Sequence, residues 1–351
     1  MREALNPLFQ PSGESNICTN VRHPLAGRKS FGVATKFERK PMESDDRICP
    51  EKEEEIWAVI DELQGAEKGR AYYELANFAF AREQYHRSLA LAEMARDLFV
   101  ELEQCYEGLA YSQSSISFSC AALSDRTRAI EEMTKAVDYF EKYSIQGESD
   151  KRRTLISWLY EEDRHEEAFS YIEKNIEHAL YEEQTLQCGI EYTKLADGLC
   201  RLNREEQAIE KYLLARDKFV ESKEVERVAD TDFYIGRCYN HLKNAIEAER
   251  FLERALSVYE SAELEDDLAK TRAQLGRAKL LVNDCNEALG HFESARKIVL
   301  RQEDINFYAL YRIQANMIRA MRGIGWDAEA DLIEKRNCVI NEVLQIDNVD
   351  A

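Results

Sequence analysis

The sequence predicts an all-α fold, a right-handed α-solenoid of stacked helix–turn–helix units, on three observations. A small residue returns at Ser88, Ala129, Ala168, Ala208, Ala248, Ala288 and Ala328, with spacings of 41, 39, 40, 40, 40 and 40. An apolar column runs ahead of it at Leu75, Ile116, Leu155, Leu195, Ile235, Leu275 and Ala315. The chain of 351 residues also holds only 14 Gly and 5 Pro against 44% apolar and 32% charged residues, so it has few helix breakers.

Each element follows from this pattern. Residues 1–50, with their prolines, glycines and serines and no sustained period, are expected to form a disordered or irregular arm. Residues 51–68 contain "EEEIWAVIDELQ", read as a capping helix whose Ile56, Trp57, Ile60 and Leu63 cover the first unit. Residues 69–345 hold about seven units, and residues 346–351 are a tail. Within a unit, a first apolar helix leads through a polar turn such as "NHLKN" to a second. The second helix carries another small column at Ala95, Ala136, Asn175, Ala215, Ala255, Ala295 and Lys335. Antiparallel helices approach closely only where one offers Ala or Gly to the bulk of the other. A lone hairpin cannot bury its apolar face, so stability has to come from stacking. Asn316, Arg319 and Lys335 replace apolar or small sites in the last unit, which reads as a polar cap.

Those columns resemble the tetratricopeptide repeat. The match is best at Ile235, Gly236, Tyr239, Ala248, Leu252 and Ala255, and at Leu275, Gly276, Ala288, Phe292 and Ala295. The unit is longer than the family's usual length of about 34 residues and lacks its terminal Pro and early Trp. Long units of this kind are like those of helical-repeat adaptors, kinesin light chains and bacterial peptide-sensing regulators.

Composition and motifs narrow the function. The net charge is −20; residues 1–50 carry eight Lys/Arg and six Asp/Glu, or +2, leaving −22 for the rest. Such a body repels nucleic acid and anionic membranes, and neither is an expected partner. No 18-residue apolar window and no secretory leader are apparent, and nine scattered cysteines without a C-x-x-C pair fit a reduced, cytoplasmic protein. The chain has no P-loop, G-x-S-x-G, H-E-x-x-H or EF-hand loop, and its six His are dispersed. No catalytic residues, metal or cofactor are therefore expected.

What remains is surface. The resemblance implies that the first helix of each unit lines a concave groove. Carried onto this sequence, its inward positions in units four to six include Lys194, Arg201, Tyr234, Arg237, Asn240, His241, Lys270, Gln274 and Arg277. Cations and amide donors around an aromatic suit an extended peptide with acidic side chains or a free carboxylate. The same cations would also serve to balance neighbouring acids. The first units offer an aromatic wall instead, at Tyr73, Asn77, Phe80 and Phe118. The expected function is a non-enzymatic adaptor or interaction module holding a protein or peptide segment. The alternatives are a peptide-sensing regulatory receptor and a structural subunit.

Overall fold

The computed structural model describes residues 50–344 apart from 103 and 303. The chain divides into two units, Met1–Arg39 and Lys40–Ala351, and the described residues belong to the second. The expected arm up to residue 49 and the tail at 346–351 lie outside the described residues.

Helix α1 (Pro50–Val59) precedes seven hairpins: α2 (Gly65–Ala81) with α3 (Tyr85–Val100), α4 (Tyr106–Ala122) with α5 (Arg126–Lys142), α6 (Glu148–Glu161) with α7 (His165–Tyr181), and α8 (Thr185–Arg201) with α9 (Glu205–Glu221). The series continues with α10 (Val225–His241) and α11 (Ala245–Ser261), α12 (Glu265–Leu281) and α13 (Cys285–Val299), and α14 (Phe307–Gly323) and α15 (Asp327–Leu344). Each helix packs on its neighbours in sequence, and α2 also meets α4, α10 meets α12, and α12 meets α14. The first helices therefore form one wall of an α-solenoid. No strand occurs among the described residues.

The repeated columns are the core. Ser88 is 1% exposed, and Ala129, Ala168, Ala208, Ala248 and Ala288 are all 0% exposed. Ser88 keeps its hydroxyl satisfied by a 3.0 Å bond to the Ser119 hydroxyl. Gly236 shows why small residues are required: a Cβ there would stand 2.6 Å from Leu252 Cγ and 3.1 Å from the carbonyl oxygen of Ala248.

The last hairpin departs from the expected register. Ala328 is exposed and Ala330 takes the buried anchor position, at 0%. The α11–α12 link is three residues (262–264), whereas α13–α14 takes seven (300–306) after a helix two residues short. The net insertion is two residues, since 7 − 3 = 4 less 17 − 15 = 2 leaves 2. The apolar column ends on Met317, 1% exposed, rather than Ala315. Its small-residue partner in α15 is the buried Asn337 rather than the exposed Lys335. The polar substitutions taken as a cap thus sit off the core columns: Asn316 and Arg319 are one before and two after Met317.

Turns repeat as well. Among the described residues, eleven non-glycine residues have positive φ, including Lys243 at 58° and Asn203 at 54°. The residue after ten of them closes back onto the helix, as in Asn244 N–H to Tyr239 O at 2.9 Å and Arg204 N–H to Leu199 O at 2.9 Å. This left-handed cap with its six-to-one bond satisfies orphan carbonyls at the end of the preceding helix, first or second in its hairpin.

Helix α1 attaches differently from expectation. Ile60 is buried at 4%, but Trp57 is 39% exposed. Glu53 does much of the fastening: its buried carboxylate accepts from Arg82 and, at 2.8 Å, from Arg87 Nη2. The first hairpin begins at Gly65, four residues before the expected start at 69.

Candidate binding groove

The wall from α6 to α14 encloses a cavity of about 1580 Å³. Lys194, Arg201, Tyr234, Arg237, His241, Lys270, Gln274 and Arg277 all line it. Asn240 does not: it is buried at 5% and donates Nδ2 to Gln274 O at 2.9 Å and to Gln274 Oε1 at 3.2 Å. Its amide joins two hairpins behind the wall.

The cations divide by partner. Lys194 Nζ pairs with the buried Glu191 at 3.2 Å, and Lys270 Nζ with Asp267 at 2.9 Å. Both partners lie one helical turn earlier, the spacing at which side chains meet on a helix. His241 Nδ1 lies 3.2 Å from Glu205. The arginines behave otherwise. Arg201, Arg237, Arg277 and Arg312 line the cavity, and among the described residues none of them has a carboxylate within ion-pair distance. Arg277 donates to Gln274 Oε1 at 3.5 Å. Burial first, and then the charges of Arg312, Arg319 and Arg237, hold its guanidinium below the ordinary value. A positive group so placed is stabilised by any anion brought to it.

In the corrected register Arg319 is the counterpart of Arg277 and Arg237, each two residues past the apolar column at Met317, Leu275 and Ile235. Arg312 is likewise the counterpart of Lys270. Both lay hidden in the sequence behind the two-residue insertion.

An aromatic platform adjoins the arginines. The Arg237 guanidinium carbon sits 4.9 Å from the Tyr234 ring centre. Tyr234 stacks on Tyr212, with centroids 5.6 Å apart and planes inclined by 10°. Tyr212 donates its hydroxyl to Asp197, whose carboxyl burial pushes above the usual range against that hydrogen bond. Tyr160 closes this end by donating to Lys194 O at 2.7 Å. Tyr160, Tyr212 and Arg312 were not singled out as groove residues from the sequence: Tyr212 comes from a second helix, Tyr160 is not among the inward positions named in the first units, and Arg312 belongs to the last unit.

The aromatic residues of the first units form paired contacts. Tyr73 and Tyr111 rings lie 6.2 Å apart, Phe80 packs edge-on to Tyr85 at 5.3 Å, and Phe118 to Trp158 at 5.6 Å. Asn77 Oδ1 accepts from Ser115 at 3.4 Å. Among the described residues no group of three His, Cys, Asp or Glu is arranged to hold a metal ion, and no helix is long and apolar enough to cross a membrane.

Comparison with known proteins agrees with this geometry. The tetratricopeptide repeat family model matches residues 227–301. No curated protein matches the sequence. The crystal structure of the apo form of RapI superposes with a TM-score of 0.58 at 17% identity, covering 84% of this chain and 86% of its own. The C-terminal part of a TPR repeat-containing protein from Cytophaga hutchinsonii gives 0.52 at 11% identity, covering 75% and 93%. The chain therefore has a tetratricopeptide-like repeat fold built on units of about 40 residues, with residues 227–301 matching the family model itself.

Proposed function

We propose that this protein is a non-enzymatic interaction module that holds an acidic or carboxylate-ended peptide segment against the wall of hairpins four to seven. One observation carries the reading. In a chain of net charge −20, Arg201, Arg237, Arg277 and Arg312 face one cavity and, among the described residues, have no carboxylate within ion-pair distance, although Asp197, Asp266, Asp267 and Asp304 line the same cavity. Surface charge balance would have paired them, as it has paired Lys194 and Lys270. Guanidinium groups bind carboxylates through two parallel hydrogen bonds, and a partly enclosed wall strengthens that attraction. Tyr234, stacked from behind and capped by Arg237, supplies a flat apolar surface between polar contacts.

The test uses fluorescein-labelled hepta-glutamate with a free carboxyl terminus, its amidated form and hepta-lysine. The acidic peptide should bind, more weakly as salt rises from 50 to 300 mM, and hepta-lysine should not. Arg237→Glu together with Arg277→Glu should abolish binding with little change in melting temperature. Undiminished binding by that double variant, or equal binding of hepta-lysine, refutes the reading.

A further inference from the structure

The first helices meet at a recurring contact. At two successive steps the residue five past the apolar column of one hairpin touches the residue three past the column of the next. At the third and fourth hairpins these are Tyr160 and Gly198, where a Cβ on the glycine would come 2.5 Å from the tyrosine hydroxyl. At the fourth and fifth both residues are cysteine. Cys200 Sγ and Cys238 Sγ lie 3.3 Å apart, although 38 residues separate them in the chain. The same register positions at the next step are held by Asn240 and Ala278, so two thiols face each other because of the repeat register and not because of a local motif. Both cysteines line the groove cavity. Cys200 is half-buried and Cys238 is 2% exposed.

We propose that Cys200 and Cys238 are a redox-modifiable dithiol that hydrogen peroxide converts to a disulfide tying α8 to α10. Cys200 is the attacking group: it faces the cavity, and its neighbour Cys238 is held back from solvent. The bond from Cys238, aided by the charge of Arg237, holds the Cys200 thiol below its ordinary value, while Cys238 is pushed up by the same bond and by burial. The thiolate is the nucleophilic form. Cys200 sulfur attacks one peroxide oxygen, the O–O bond breaks, and the departing hydroxide takes a proton to become water. The resulting sulfenic acid is then attacked by Cys238 sulfur; the S–O bond breaks and hydroxide leaves with the Cys238 proton as a second water. Two thiols lose two electrons in all, and one peroxide gains them. Bonded sulfurs are about 2.0 Å apart, so the two need to close by about 1.3 Å. Rotation of the two side chains supplies much of such a change without parting the helices.

The experiment treats the full-length protein with one equivalent of hydrogen peroxide, alkylates remaining thiols and maps tryptic peptides. Leu195–Arg201 and Cys238–Lys243 should appear as the main cross-linked species and separate on addition of dithiothreitol. Cys238→Ser should leave a sulfenic acid at Cys200, trapped by dimedone, with no cross-link. Melting curves of the reduced proteins confirm that the variant is folded; Cys200→Ser, which should leave Cys238 unoxidised, provides a second variant. The exposed Cys338 reports general reactivity. Oxidation of Cys338 with both groove thiols untouched overturns the proposal, as does Cys200 linking equally to other cysteines.

Discussion

Tyr160 and Asn240 stand 240 − 160 = 80 residues, or two units, apart and make the same bond: each donates to the carbonyl of the residue just before the apolar column of the next hairpin. Tyr160 Oη reaches Lys194 O at 2.7 Å and Asn240 Nδ2 reaches Gln274 O at 2.9 Å. Such a bond adds to stability by about 1 kcal/mol. Tyr160→Phe keeps the ring and removes the donor, so it should cost about that much in urea denaturation. A variant as stable as the wild type would mean that the bond makes no net contribution.

Two glycines in the same solenoid should respond to alanine with opposite sign. Gly236→Ala drives a methyl into Leu252 and the Ala248 carbonyl and should destabilise by about 1–3 kcal/mol. Gly290, inside α13, has open space where its Cβ would be. Gly290→Ala should stabilise by about 0.5–1 kcal/mol through helix propensity. Shifts of the same sign in thermal melts would contradict the packing described.

The turn residues make a third case. Lys243 holds φ at 58°, a conformation that costs most side chains free energy, whereas Asn203, at 54°, belongs to a type that adopts it readily. Lys243→Gly should raise stability by about 1 kcal/mol or less, and Asn203→Gly by a smaller amount. The reverse ranking in chemical denaturation would count against strain at these caps.

Asp197 gives a pH dependence. Burial raises its carboxyl above the usual range, so the folded state holds this proton more tightly than the unfolded state. Its contribution is fully present below about pH 4, the ordinary aspartate value, and is lost as pH rises through the higher folded value. Asp197→Asn does not ionise. Its stability should therefore fall less, or rise more, between pH 4 and 7 than that of the wild type; identical slopes would exclude the assignment.

Much of this architecture is legible in the sequence because packing enforces it. Six of the seven anchors are buried where spacing puts them, since a large residue at any of them would collide with the facing helix. The seventh fails for a local reason. "DAEADL" offers alanine at both 328 and 330, so a uniform 40-residue step lands on Ala328 with no sign that the α13–α14 link is longer. The same slip hid Arg319. Which cations are paired was also partly legible. Lys194 and Lys270 have an acid three residues earlier, while Arg237 and Arg277 have Tyr234 and Gln274 there. The 3.3 Å meeting of Cys200 and Cys238 depends on how neighbouring hairpins are offset, which one unit's periodicity does not specify.

One position, two residues past the apolar column, reads Asn77, Phe118, Ser157, Asp197, Arg237, Arg277 and Arg319 from the first hairpin to the last. At this position the series is neutral in the first three hairpins, negative in the fourth and positive in the last three. This arrangement is an electrical gradient along the stacking direction, written one residue per repeat. A uniform charge would attract a ligand without orienting it, but a gradient exerts a torque on anything elongated and unevenly charged. For a peptide held as proposed above, this one repeating position would set orientation as well as affinity, and exchanging Asp197 and Arg277 should change the preferred direction of alignment.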